Sequence, residues 1–220
     1  MLKMLLAALA CVVCSGLWND AAAESCAPPP GFADTPPPEI APAAELVAHV
    51  EEITIDRPLD EVLASEARTS LEQAVGRTSE LPGVAGTYAL SELKWAEPGA
   101  RRLTCLTDGS TLVEQSLEHT RVGNIYHFRY VVWNYTTPKA RPIVYGVGDF
   151  LRTDLGNGRT HTRWTYAFKL NPDRFPGSLG SFGRYLFRVR FLEGEYATMM
   201  RNSLASGKAR VESTPPADQK

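Results

Sequence analysis

Apolar residues recur at every second position through much of Val84 to Leu170, and then at every third or fourth from Phe182 to Leu204. The first period belongs to strands that bury alternate side chains, and the second to a helix with one apolar stripe. The order predicts a run of β-hairpins closed by one long amphipathic helix from about Phe182 to Leu204. A sheet rich in Tyr and Trp needs such a helix to cover its apolar face, and the space between a curved sheet and one helix often holds a ligand. Upstream, Leu46 to Ile55 reads as a strand that ends at Asp56-Arg57-Pro58, where Asp as N-cap and Pro in the first turn announce a helix. Leu59, Val62, Leu63 and Ala67 have helical spacing, and Leu71 and Val75 predict a second short helix before Gly76.

The turns register the strands. Asn157-Gly158 is a signal for a two-residue hairpin loop, and with this pair at its centre Leu151 falls opposite Trp164, Asp149 opposite Tyr166 and Val147 opposite Phe168. One face of that hairpin is then Tyr145, Val147, Leu151, Trp164, Tyr166, Phe168 and Leu170. The other carries Arg152, Arg163, Thr165 and Lys169, with Phe150 as its one large apolar member. Asp149 is the polar exception on the apolar face, where it needs a tyrosine hydroxyl, an arginine or a polar ligand group as partner. The strand Tyr126 to Tyr135 alternates likewise, with Tyr126, Phe128, Tyr130 and Val132 on one side. At Thr107-Asp108-Gly109-Ser110 a two-residue and a three-residue loop are both compatible with the sequence, so the face taken by Arg102 and Glu114 stays open. The closing helix shows Phe182, Leu186, Val189, Leu192, Tyr196, Met199, Met200 and Leu204 as its stripe, with Arg184, Arg188, Arg190 and Arg201 behind it.

The ends of the chain change the picture. Lys3, the apolar run Met4 to Val13 and the small-residue site Ala21-Ala22-Ala23 read as a secretory signal peptide over residues 1–23, which places the mature protein in the periplasm or outside the cell. The run is short of the ~20 apolar residues that an uncleaved anchor needs. Cys11 and Cys14 have C-x-x-C spacing, but they lie inside the segment to be removed. Cys26 and Cys105 remain. They are able to pair in an oxidising compartment; the alternative preferred here is two free thiols, with Cys105 packed as a small hydrophobe. Residues 24–43, with APPPGFADTPPPEIAPA, read as a Pro-rich flexible leader. The domain runs from 44 to 207, and residues 208–220 form a polar tail expected to be disordered.

Lys and Arg number 23 against 25 Asp and Glu, a net charge of −2. That balance lacks the basic stripe of a nucleic-acid binder. His49, His119, His127 and His161 are isolated along the chain, so no metal is assigned. No cofactor motif is found either. Gly146-Val-Gly148 begins like a dinucleotide loop, but Leu151 stands in place of the third glycine and the segment lies in a predicted hairpin. Gly177 to Gly183 is not a nucleophile elbow, and Ser181 there is a plausible N-cap.

A strand, two short helices, an antiparallel meander and a long final helix is the helix-grip order. The chain resembles the START-like (SRPBCC) superfamily, in particular its bacterial polyketide cyclase/dehydrase-related branch. Gly99-Ala100-Arg101-Arg102, the turn Asp108-Gly109-Ser110, then Glu114, and the strand Thr162-Arg163-Trp164 carry the likeness. The resemblance implies an α+β helix-grip fold, a curved antiparallel sheet of about seven strands wrapped around the long C-terminal helix. It also implies a cavity for lipids, polyketides or aromatic molecules, with Arg102, Glu114, Tyr130 and Trp164 as cavity residues. For Arg102 and Glu114 a cross-strand ion pair on the sheet surface is the competing reading.

The expected function is binding of a hydrophobic or amphipathic small molecule by an exported protein. Arg102, Glu114, Tyr130, Asp149, Trp164, Tyr166 and Phe168 are the candidate ligand contacts. A cyclase- or dehydratase-type enzyme using a carboxylate such as Asp149 or Glu114 is one alternative. An envelope protein whose interior is filled by its own side chains, with the Pro-rich leader as the contact, is the other.

Overall fold

The computed structural model describes residues 26–76 and 78–215; the predicted signal peptide and residues 216–220 lie outside them. The chain forms β1 (Val47–Ile55), α1 (Leu59–Ala67), α2 (Leu71–Ala74), β2 (Val84–Ala89), β3 (Arg101–Leu106), β4 (Thr111–Val122), β5 (Ile125–Trp133), β6 (Ile143–Gly156) and β7 (Arg159–Leu170). It ends with α3 (Gly180–Phe187), a wider π-type stretch Arg188–Tyr196 and α4 (Ala197–Ser213). Seven antiparallel strands make one sheet in the order β1-β7-β6-β5-β4-β3-β2. β2 to β7 are a meander of sequential neighbours. α1 and α2 carry the chain from β1 at one edge to β2 at the other. α1 starts directly after Pro58 with no side-chain cap, so Asp56 does not take the N-cap role expected of it.

The Asn157-Gly158 turn forms, with φ of 54° and 71°, but the hairpin behind it is shifted. Gly156 pairs with Arg159, whereas Asp154 pairs with Thr160, leaving Leu155 as an extra residue in β6. The Asp154 carboxylate accepts a hydrogen bond from the Gly156 N–H at 2.8 Å, closing a local turn around the bulge. One inserted residue turns every β6 side chain beyond it to the other face. Phe150, Gly148 and Gly146 therefore stand opposite Trp164, Tyr166 and Phe168, in place of the expected Leu151, Asp149 and Val147. The loop at Thr107 to Gly109 has three residues: Cys105 pairs with Thr111 and the Leu106 N–H donates to the Ser110 carbonyl at 2.8 Å.

Both faces of the sheet are apolar. The inner face buries Val47, Val132, Trp164, Tyr166, Phe168 and Leu170 against Phe187, Leu192, Met199 and Met200 of the C-terminal helix. The outer face gathers Leu103, Val113, Val131, Trp133, Tyr145 and Val147. Its cover is the Pro-rich segment, which lies along the sheet with Cys26, Phe32, Ile40 and Leu46 against it and is not a free leader. Cys26 and Cys105 form a disulfide, which corrects the preference for free thiols. Gly86, beside Cys105 in register, is bare where Cys26 lies against it: a β-carbon there would sit 3.0 Å from that of Cys26.

The helical end also departs from its predicted stripe. Phe187 faces the sheet on Phe168 and Gly183 is buried against the Pro176 loop, while Phe182, Tyr185 and Val189 point outward. Helical winding breaks at Gly194 (φ −96°, ψ −107°), so a single 3.6-residue period cannot describe both sides of it. α4 continues through Ser213, into the segment expected to be disordered. Its Val211 packs with Ile55 and Val62, and Arg57 donates to the Glu212 carbonyl at 2.8 Å.

Candidate functional site

The inner wall is a ladder of rings crossing three strands, β5, β6 and β7. Phe128 stacks on Tyr130 at 5.6 Å between centroids, Tyr130 on Phe150 at 6.4 Å and Phe150 on Trp164 at 4.7 Å. Trp164 meets Tyr166 edge-on, and Tyr166 lies 4.9 Å from Phe168. From above, Tyr196 contacts both Tyr166 and Phe168, and Phe187 and Phe191 complete the cover over Phe168. Two glycines make the ladder fit. Gly146 and Gly148 take inward positions on β6, where a β-carbon would lie 2.7 Å from the Tyr166 ring at Gly146 and would overlap the Tyr130 ring at Gly148. The Gly-Val-Gly sequence is thus the footprint of two tyrosines.

At the β3–β4 end the wall becomes polar. Arg102 and Glu114 are direct cross-strand partners, both on the inner face. The Arg102 Nε donates to Glu114 Oε2 at 2.6 Å, and the buried Thr104 hydroxyl donates to the same oxygen at 2.9 Å. Glu114 is 6% exposed, so the pair is an interior one and not the surface alternative. Trp95, from the loop between β2 and β3, lies under the Arg102 guanidinium, 3.5 Å from its ring centroid. The loop is pinned there by Ser116, whose hydroxyl donates to the Ala96 carbonyl at 3.0 Å. A cation stacked on an indole and paired to a carboxylate is fixed in place yet keeps a charge facing the rings.

Four tyrosine hydroxyls, of Tyr130, Tyr135, Tyr166 and Tyr196, point into this interior. Burial raises the pKa of each above the ordinary phenol value, and the neighbouring Glu114 adds to the effect at Tyr130 and Tyr135. They stay protonated at every physiological pH and act as neutral donors. The Tyr135 hydroxyl and the Trp164 indole N–H complete no hydrogen bond of good geometry, although Tyr166 and Tyr130 lie alongside them.

Of the seven residues singled out from the sequence, Arg102, Glu114, Tyr130, Trp164, Tyr166 and Phe168 converge on the inner face. Asp149 does not. The bulge at Leu155 puts it on the outer face opposite Thr165 and Arg129. There it accepts from His127 at 3.0 Å and lies 3.8 Å from Arg129. A general acid/base role for Asp149 on the inner face has no support in this placement. Arg152, expected in solvent, is 5% exposed on the inner side, bonded to Glu66 of α1 at 2.6 Å and stacked on Phe150.

Sequence reasoning missed Trp95, Tyr135, Phe150, Arg152 and Tyr196. A signal for two of the corrections was present. Asp149 on the apolar face and Phe150 on the polar one were both misfits, and a one-residue slip resolves the pair together. Among the described residues no cluster of three or more His, Cys, Asp or Glu side chains could hold a metal ion, and no helix is long and apolar enough to cross a membrane.

No family model matches the sequence, and no curated protein sequence is significantly similar to it. Solved structures are similar in fold. The di-domain ARO/CYC StfQ from the steffimycin biosynthetic pathway superposes with a TM-score of 0.52 at 14% identity, over 76% of this chain and 51% of that one. Ara h 8.0201 gives 0.51 at 11% identity, over 77% of this chain and 99% of that one. The Zhui aromatase/cyclase from a Streptomyces species gives 0.50 at 16% identity, over 76% of this chain and 94% of that one. With its seven-stranded antiparallel sheet and long C-terminal helix, the chain has the helix-grip fold that these solved structures share.

Proposed function

We propose that this chain binds an amphipathic, ring-bearing small molecule between the sheet and the C-terminal helix, and that it does so outside the cytoplasm. The observation that carries the reading is the meeting, on one wall, of a stacked aromatic ladder with the buried Arg102–Glu114 pair. The rings offer an apolar body its stacking surface, at ~25 cal/mol per Å2 of apolar area buried. Arg102, Tyr130 and Tyr135 orient the polar end. Entry requires the helix to part from the wall. The break at Gly194 sits two residues before Tyr196, the ring that closes over Tyr166 and Phe168. The fold shared with aromatase/cyclases is compatible with a polyketide-like guest and assigns no reaction. Export is supported by the leader sequence and by a disulfide, which persists in oxidising compartments.

Native mass spectrometry of protein purified from its own host tests the reading directly, a co-purifying small molecule being the expected result. Titration with the amphipathic probe 1-anilinonaphthalene-8-sulfonate gives a second readout. Probe fluorescence should saturate, and Trp164→Phe should remove most of the energy transfer from tryptophan. The double variant Arg102→Met/Glu114→Gln removes both charges together, which spares the fold the cost of one unpaired buried ion. It should weaken binding of this sulfonate about tenfold, the scale of one charge-assisted hydrogen bond. A protein that carries nothing from its host and gives no saturable signal would overturn the proposal.

A further inference from the structure

The surface around α3 is unlike the rest of the molecule. Phe175, Leu179, Phe182, Tyr185 and Val189 are all exposed, Phe175 at 67% and Tyr185 at 59%. Phe182, Tyr185 and Val189 follow one another at spacings of three and four, so they form one outward stripe, while Phe187 packs on Phe168 of the sheet and Gly183 on the Pro176 loop. α3 is therefore apolar on two sides, and only one of them is covered.

Charge concentrates on the same surface. Arg174, Arg184, Arg188 and Arg190 are exposed, and among the described residues none of the four takes part in an ion pair. No acidic residue occurs between Arg174 and Glu193. Across the fold, the Glu45 carboxylate accepts from Lys169, with Arg184 close enough to act on it as well. In a chain of net charge −2, residues 173–193 carry four arginines against Asp173 and Glu193, a local excess of two cations. Between α3 and the start of β1 there is a cleft of about 260 Å3. Leu46 and Val47 supply its apolar side, and Arg184, Arg188, Ser181 and Tyr185 supply the other.

From this juxtaposition we infer that α3 and the loop before it dock on an anionic phospholipid bilayer. Aromatic and aliphatic side chains with arginines interleaved on a short helix are suited to the headgroup region, where rings enter the acyl boundary and guanidinium groups stay with phosphates. The cleft has the chemistry for one glycerophosphate group with its first methylenes. The charge complementarity selects an anionic lipid surface over an apolar protein partner, which would leave the excess charge uncompensated. The inference stands apart from the ligand reading, since its surface is outside the sheet–helix interior and its test uses no ligand.

The test is co-sedimentation of the full mature protein with large vesicles of phosphatidylcholine alone or mixed equally with phosphatidylglycerol, at about 0.1 M salt, where the Debye length is about 10 Å. Partitioning should be at least about tenfold stronger on the anionic vesicles and should fall as salt rises. Arg184→Gln/Arg188→Gln should lower it about 25-fold, at about fivefold per charge near the surface. Phe182→Ser/Tyr185→Ser should abolish the salt-resistant part. Arg163→Gln, on the outer face of the sheet, should leave partitioning unchanged. Equal binding to both vesicle types, no binding to either, or equal loss with Arg163→Gln would overturn the inference. So would a concentration-dependent dimer in light scattering that the Phe182→Ser/Tyr185→Ser variant removes, because the patch would then belong to a second copy.

Discussion

The two faces of the sheet are both buried, but by different means. On the inner face the helical end, interrupted at Gly194, lays apolar side chains over the rings, with Phe187, Leu192, Met199 and Met200 in one cluster with Phe168 and Tyr166. A helix satisfies its own backbone, so its cover needs only matching apolar shape. On the outer face the cover is a proline-rich segment with no ladder of its own, and it has to be fastened at points. The disulfide fixes one end. Along its length the Trp133 indole N–H donates to Thr35 at 3.1 Å, the Asn134 amide to the Ala33 carbonyl at 3.3 Å, and the Ala41 N–H to the Tyr145 hydroxyl at 2.8 Å. Arg101 pairs with Asp34 and lies over Trp133. The same apolar demand is thus met once by periodicity and once by individual bonds.

The largest expected effect tests the inner face. Phe168 is 2% exposed beneath Phe187, Phe191 and Tyr196, so Phe168→Ala should cost ~3–5 kcal/mol in denaturant titration if the rings are tight core. A loss well under that range would reveal slack beneath the helix and sharpen the case for an interior that admits a guest. Next comes the fastening of the outer face. Cys26→Ser/Cys105→Ser should cost ~2–4 kcal/mol, expose the segment from Pro28 to Pro42 to protease, and red-shift Trp133 emission while leaving Trp164 unchanged. Continued protection of that segment without the disulfide would break the distinction drawn between the two covers.

The smallest effect concerns the exposed rim of the outer face, where His127 bridges Glu118 and Asp149 at 3.0 Å each. Burial opposes the charged ring, but the two carboxylates together outweigh it and raise the His127 pKa. A raised folded-state pKa means that the contribution is complete below the unfolded value of ~6.5 and is lost as pH rises through the folded value. Wild type should therefore exceed His127→Gln by ~0–1 kcal/mol near pH 6 and match it by about pH 8, as read from Tm at the two conditions. A difference that grows with pH would show that the bridge does not act through the imidazolium.

Much of the architecture was legible in the residues themselves. The switch of period from two to between three and four announced a meander and a closing helix, and Asn157-Gly158 located a hairpin to the residue. Six of the seven site candidates arrived on one face, Arg102 and Glu114 only through the three-residue loop at Thr107 to Gly109 that the sequence had left open. The exceptions have a common cause. Strand parity is carried from the turn outward, so the single extra residue at Leu155 inverted Asp149, Phe150 and Arg152 at once, and no local propensity marks such a bulge before Asp154 closes on Gly156. The break at Gly194 had the same effect on the helix stripe, turning Phe182 and Val189 to the outside.

What the sequence by itself determined is the set of periods: strands fit to pair, a helix fit to cover them, and a hairpin wall that carries Trp164, Tyr166 and Phe168. Those follow from spacing, because alternate residues of a strand must share a face. Only the tertiary structure decided which surfaces are covered. The outer face looked half-polar until the bulge brought Tyr145 and Val147 to it, and the Pro-rich segment looked unattached until Cys26 met Cys105. Contacts of that kind join residues 79 apart in sequence, and they depend on where the sheet places its partners in space, information that no local pattern carries.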